Sequence, residues 1–272
     1  MRRVLTVAAM PKPNAYAAII EEIFLSNFEK GMKRVDFERP DIAAAAERRG
    51  VPAPSNVGDV VYSARYRRTL PESIQATATE GHEWIIRGAG RGRYCFVLTR
   101  PIRLAPNEQM AFTKVPDATP GVVAMYALGD EQALLARVRY NRLIDIFLGI
   151  TCYSLQNHLR TTVPDIGQVE TDELYVGVDA RGCQYVIPVQ AKGGSDTLNI
   201  VQIEQDMALC ESRFPELVCR PVAAQFTRAN VIALFAFEKI EDEVKVLRES
   251  HYKLVDPSEL TDEDLAAYRR RT

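Results

Sequence analysis

The pattern of apolar and polar positions divides the chain into a helix-rich first part and a strand-rich second part. Residues 13–30 place Ala17, Ile20, Phe24 and Phe28 at helical spacing, with Ile19 and Ile23 beside them and Gly31 as a stop. Pro40 suits the first turn of a second short helix, DIAAAAERRG, ending at Gly50. After the turn VPAPSN, Asn56 caps a third helix, NVGDVVYSARYRR, with Val57, Val60, Val61 and Ala64 on one apolar face. Two apolar strands follow, at 84–86 and 94–98. The Gly/Arg tip between them has no large apolar residue, so it belongs in solvent as a hairpin.

Residues 101–128 read differently. Pro101, Pro106, Pro116, Pro120 and Gly121 punctuate short apolar stretches such as VVAMYAL, the pattern of a connecting layer or a small β element. Asp130 then caps a long helical pattern, EQALLARVRYNRLIDIFLGITCYSLQNHLR, one bent helix or two with Gly149 as the weak point. Beyond it, 168–178 (QVETDELYVGV) alternates as a strand, DARG at 179–182 is a turn, and 183–191 (CQYVIPVQA) is a second strand with Ile187 and Val189 facing one way. Gly193 and Gly194 end that strand. A helix over 198–214, apolar strands over 216–225 and 231–238, a more polar edge or C-terminal strand over 243–255 and a charged helix over 257–271 complete the chain. The expected fold class is α/β (α+β overall), in three segments: 1–105, a connecting layer at 106–130, and 131–272.

Composition narrows the class. With 47% hydrophobic and 26% charged residues over 272 positions, a sizeable core forms without disulfides or a structural metal. The five cysteines (Cys95, Cys152, Cys183, Cys210, Cys219) contain no CxxC pair, which points to free thiols in a reducing cytoplasm and away from a zinc site. The start, MRRVLTVAAMPKP, has an apolar run too short for a spanning helix and is read as a strand or arm. A cytoplasmic protein with no membrane partner is expected. The net charge of −2 hides an asymmetry: residues 1–110 carry 17 Lys/Arg against 12 Asp/Glu, and the remainder 17 against 24. The basic part hints at an anionic partner.

Candidate chemistry concentrates between Glu170 and Lys192. Glu170 and Asp172 are two apart on a strand and therefore share a face, and the hairpin returns Gln190 and Lys192 beside them. Two carboxylates, an amide oxygen and an ammonium suit Mg²⁺, with Mn²⁺ as a substitute. The lysine is suited to orienting a water and offsetting charge at a phosphorus. Gln202, Gln205 and Asp206 on the following helix, and Asp145 on the preceding one, are secondary candidates. His82, His158 and His251 are too scattered for histidine-based hydrolysis, and His158 reads as structural. GAGRG at 88–92 lacks the GK[ST] ending of a phosphate loop.

The order of these residues resembles the PD-(D/E)xK nuclease superfamily of restriction-endonuclease-like and Mrr-like proteins. Asp172 matches the first acid, and Gln190-Ala191-Lys192 the (D/E)xK tripeptide, with Glu170 in an ExD pair. Gln190 stands where the pattern usually has Glu or Asp, as in some Mrr-like branches. The resemblance covers about residues 135–240. It implies a mixed β-sheet core flanked by helices in the order α-β-β-α-β, and a Mg²⁺-dependent type II restriction or host-defence endonuclease acting on double-stranded DNA. Asp172, Glu170 and Gln190 would hold the metal and Lys192 would orient the water. A homodimer is expected because cutting both strands commonly uses two sites. The first part resembles a winged helix-turn-helix module, in which one helix reads the major groove and the hairpin touches phosphate. Arg65, Arg67 and Arg68 on the third helix and Arg87, Arg91 and Arg93 at the hairpin are the candidate DNA contacts. The alternatives are a winged-helix regulator without cleavage and a non-catalytic protein of nuclease fold.

Overall fold

A computed structural model describes residues 15–52, 54, 56–102, 104–126, 131–193, 196, 198–227, 231–241 and 243–270, without the side chain of Arg67. The N-terminal arm, Asp130 and Gly194 lie outside these residues. The chain divides after Pro101 into two compact units. Helices and mixed sheets make the protein α/β overall.

The first unit is built on α1 (Ala15–Asn27), whose Ile19, Ile20, Ile23 and Phe24 are buried as the helical spacing requires. A strand that the sequence pattern hides follows it: β1 (Arg34–Glu38), where Val35 and Phe37 point inward between exposed charges. Pro40 lies in the first turn of α2 (Arg39–Arg48), and the Asp41 carboxylate accepts the Glu38 N–H at 2.7 Å. Asn56 caps α3 (Val57–Tyr62) by accepting the Gly58 N–H. The helix then widens into a π turn over Ser63–Arg67, and a short α4 (Glu72–Gln75) leads to β2 (Glu83–Gly88) and β3 (Arg93–Thr99). These strands form an antiparallel sheet in the order β1-β3-β2. Phe24 fills the centre, its ring 5.0 Å from both Trp84 and Phe96. The hairpin tip needs glycine: Gly90 has φ +110°, and a Cβ there would meet the Arg93 guanidinium at 2.7 Å.

The second unit begins at Ile102, before the expected connecting layer at 106–130, and takes that layer in. That segment supplies β4 (Phe112–Pro116), an edge strand, and α5 (Gly121–Tyr126). Next come α6 (Glu131–Tyr140) and α7 (Leu143–Leu148). Helix does not continue through residue 160, as the spacing predicted. Gly149 adopts φ +70° and ends α7, and the chain turns into a 13-residue strand, β5 (Thr151–Val163). Its alternation was concealed by a register shift between Ser154 and Gln156 and by His158 at φ +50°. Cys152, Leu155 and Leu159 thereby sit at intervals that imitate a helix.

The hairpin of β6 (Gly167–Val178) and β7 (Gln184–Lys192) matches the expected strands and turn. It is followed by α8 (Ile200–Arg213), β8 (Val218–Cys219), β9 (Val222–Phe226), β10 (Ile232–Ile240), β11 (Glu243–Val255) and α9 (Asp262–Arg269). Among the described residues the sheet runs β4-β11-β10-β9-β7-β6-β5, with β8 beside β7. The β7–β9 and β11–β4 contacts are parallel. A parallel pair needs a crossover, and α8 provides it between β7 and β9. The α6–α7 pair packs on Ile187, Val189, Ala191, Ala224 and Leu234. Ile203 and Met207 of α8 pack among Ala223, Ala233, Phe235 and Phe237. The central strands are thus covered on both faces, which explains their continuous apolar sequence.

Candidate active site

Asp172 lies where β6 and β7 part. Their ladder runs from Val178/Gln184 to Glu173/Val189 and stops there. One residue further, the Asp172 Oδ2 accepts the Ala191 N–H at 2.8 Å, so a side chain takes the place of a ladder carbonyl. Burial pushes the Asp172 carboxyl above the usual range; the Ala191 N–H and Lys192 pull it down, and Glu131 and Glu170 push it up. Its other oxygen has no protein donor among the described residues.

Lys192, at the end of β7, is largely buried and places its Nζ 3.0 Å from Glu131 Oε1 at the start of α6. Asp172, Lys192 and Glu131 therefore form one electrostatic cluster assembled from three elements. Glu131 carried no signal in the sequence, because it lies 61 residues before Lys192 in an unremarkable helical pattern.

Gln190, 1% exposed, turns toward α8. Its Nε2 donates to Asp206 Oδ2 at 2.9 Å and to the Glu170 carbonyl at 3.1 Å, and its Oε1 accepts from Gln202 Nε2 at 3.3 Å. Thr171 Oγ1 donates to the other Asp206 oxygen. Asp206 is fully buried among these neutral donors, and burial pushes its carboxyl up to about 7. Thr171 stands between the two acids of β6 and looks like a spacer in sequence, yet it is part of this network. Gln205 is also buried on α8.

Glu170 is occupied elsewhere: its carboxylate meets Arg160 at 2.8 Å and His158 at 3.3 Å, both on β5. β6 changes its facing between Thr171, which bonds to Asp206 of α8, and Tyr175, so the alternation that begins with Glu170 and Asp172 does not run the length of the strand. Val169 packs with Leu209 of α8, whereas Tyr175 joins the core under α6 and α7. Asp145 lies apart from the site; it accepts from the Arg142 guanidinium and from the Cys152 N–H, which ties α7 to β5. Next to it a cleft of about 300 Å³ is lined by Arg139, Arg142, Cys152, Ser154 and Tyr175.

The donors around Asp172 are oxygens, the set that fits Mg²⁺ rather than a soft metal. Among the described residues no three His, Cys, Asp or Glu side chains already converge as a metal cage. Asp172 offers one open carboxylate oxygen to a hydrated ion, whereas the Gln190 amide oxygen lies against Gln202.

The arginines of the first unit are disposed unequally. Arg68, Arg91 and Arg93 are exposed and Arg87 is partly so. Arg65 is a correction: the π turn brings it inward, 9% exposed, with its guanidinium over the Tyr66 ring. It belongs to the interior and not to a surface for DNA. All five cysteines are free thiols. No described helix is long and apolar enough to cross a membrane.

No family model, curated protein or solved structure matches this chain.

Proposed function

We propose that the protein is a Mg²⁺-dependent endonuclease that hydrolyses phosphodiester bonds in double-stranded DNA, of restriction or host-defence type. The observation that carries this reading is the Asp172 carboxylate held on the Ala191 N–H where β6 and β7 part, one residue from Lys192, with Gln190 two residues before the lysine. Element order supports it: the chain runs α7, β5, β6, β7, α8, β8, β9, which is helix, strand, strand, helix, strand once β5 at the sheet edge and the two-residue β8 are set aside. That is the order expected of a PD-(D/E)xK nuclease core.

Asp172 and Gln190 would hold the ion, with water filling its remaining positions. When bound, the ion supplies Lewis acidity toward a phosphoryl oxygen and acidifies a water. Asp172 acts in its ionised form, so the Ala191 N–H and Lys192 matter because they oppose the burial that favours its proton. Lys192 orients the attacking water and offsets negative charge at the phosphoryl group. Glu131 holds the Lys192 ammonium in place through the 3.0 Å contact with its Oε1. Glu170, bound to Arg160 and His158, shapes the rim of the site.

The first unit serves as the grip. A helical set followed by a basic hairpin, on an antiparallel sheet ordered β1-β3-β2, supports a winged-helix reading. The exposed Arg68, Arg91 and Arg93 are suited to phosphate contacts. This unit also supports a second reading, a DNA-binding regulator that cuts nothing. Incubation of supercoiled DNA with Mg²⁺ separates the two. The wild type nicks, and Asp172→Ala and Lys192→Ala lose on the order of 100-fold in rate. Equal nicking by all three proteins would remove the assignment. A Mg²⁺-independent footprint without cleavage would establish the regulator.

A further inference from the structure

Gln190 is neutral where the resembling pattern has an acid, so the orientation of its amide decides whether it can serve a cation. A glutamine offers an oxygen on one side and two N–H donors on the other. The groups around Gln190 leave one choice. Asp206 Oδ2, at 2.9 Å, and the Glu170 carbonyl, at 3.1 Å, can only accept, so the NH₂ must face them. Protonation of Asp206 does not change this. Thr171 Oγ1 lies against Oδ1, and a proton shared there leaves Oδ2 an acceptor. Oε1 is consequently turned the other way, where Gln202 Nε2 is its neighbour at 3.3 Å.

Asp206 is placed for this task and for little else. It is fully buried, it has no cation for a partner among the described residues, and its hydrogen bonds are to Thr171 and Gln190. A carboxyl group taken out of water with only neutral donors is costly. An apolar residue at this point of α8 would fill the space, but it would leave the amide of Gln190 free to turn.

We propose that Asp206 is a positioning residue of the site. With Thr171 behind it, it locks the Gln190 amide so that its carbonyl oxygen, and not its NH₂, is presented to a divalent cation. The proposal rests on the nuclease reading for the place of the cation, but it concerns the binding of the ion rather than cleavage. The amide and the carboxylate are complementary, and exchanging them keeps the complementarity. When Gln190→Glu is combined with Asp206→Asn, the amide introduced on α8 donates its NH₂ to the carboxylate introduced on β7. The oxygen of that amide still accepts from Thr171.

The test is Mn²⁺ binding to the full chain, measured by paramagnetic resonance with Mn²⁺ alone. It covers the wild type, Asp206→Asn, Gln190→Glu and the double variant, with nicking of supercoiled DNA measured in parallel. Made in the wild type, Asp206→Asn lets the amide turn and weakens Mn²⁺ binding about tenfold or more, the usual size of an outer-layer effect. Made on top of Gln190→Glu, the same substitution ends the sharing of a proton between two facing carboxyl groups, leaves the introduced carboxylate ionised toward the ion and strengthens binding. This reversal of sign is the expected result. The same effect in both backgrounds overturns the proposal and leaves the nuclease reading standing. Mn²⁺ binding with the reversal but without nicking keeps the proposal and removes the nuclease reading. No Mn²⁺ binding by the wild type removes both. If Asp206→Asn does not fold, the wild type carries the test through the Gln190 side-chain NH₂ resonances, identified by their loss in Gln190→Glu. Slow solvent exchange, unchanged by Mg²⁺, supports the lock, and exchange at solvent rates overturns it.

Discussion

Two neighbouring regions of β6 handle buried carboxylates in opposite ways. Glu173, fully buried, has a cation: Arg139 Nε lies 2.7 Å from its Oε1, and Ser154 Oγ donates to the same oxygen at 2.8 Å. Asp206, packed against Thr171, has only neutral donors. The consequences are separable. The folded Asp206 carboxyl keeps its proton to about pH 7, whereas in the unfolded chain it loses it near 3.9. Between those values the folded protein holds one more proton, so stability falls as pH rises through the window, by an amount on the order of 4 kcal/mol. Urea midpoints of the metal-free protein at pH 5 and pH 8 check this. The wild type loses more stability than Asp206→Asn between the two, and parallel losses would refute it. Glu173 depends instead on its ion-pair partner. Arg139→Met leaves a buried carboxylate without its cation and, because Arg139 is itself partly exposed and Ser154 still donates, costs about 1–3 kcal/mol in a urea titration. A loss below 1 kcal/mol would mean that the pair contributes little.

At the scale of elements, the passage from α7 to β5 depends on one backbone conformation. Gly149 stands at φ +70° with open space where a Cβ would go, so Gly149→Ala carries the left-handed penalty alone. About 1 kcal/mol of stability is lost, with the core undisturbed, as thermal unfolding will show. The same junction marks where the sequence misleads. Gly149 was legible as a weak point, but the strand after it was not, because the register shift near Leu155 and the left-handed His158 break its alternation. β1 was missed for another reason: five residues with two inward side chains are too few to stand out among charges. Regular elements were readable, as the burial of α1, the Asn56 cap and the β6–β7 hairpin illustrate. Of the candidate site, the local part was legible: Asp172, Gln190 and Lys192 lie on one hairpin. Glu131 and Thr171 were not, because their roles depend on how α6 and α8 close over that hairpin. Glu170 was assigned to the metal by strict alternation, and its carboxylate bonds to β5 instead.

At the scale of the whole molecule, the proposed function divides labour between a basic unit that would grip DNA and a mixed-sheet unit that would cut it. The first part of the division has its own signature. Arg91→Ala with Arg93→Ala weakens DNA binding to a similar degree on different sequences and lowers the salt dependence of binding by about two phosphate contacts. An unchanged salt slope would place the DNA elsewhere. The second part is tested most directly by comparing binding with single-turnover cleavage in Asp172→Asn, which changes one carboxylate to an amide of the same size. DNA affinity without metal stays within about twofold, because no phosphate-binding cation is removed. Cleavage with Mg²⁺ falls on the order of 100-fold or more. Cleavage by Asp172→Asn at the wild-type rate would contradict the central claim.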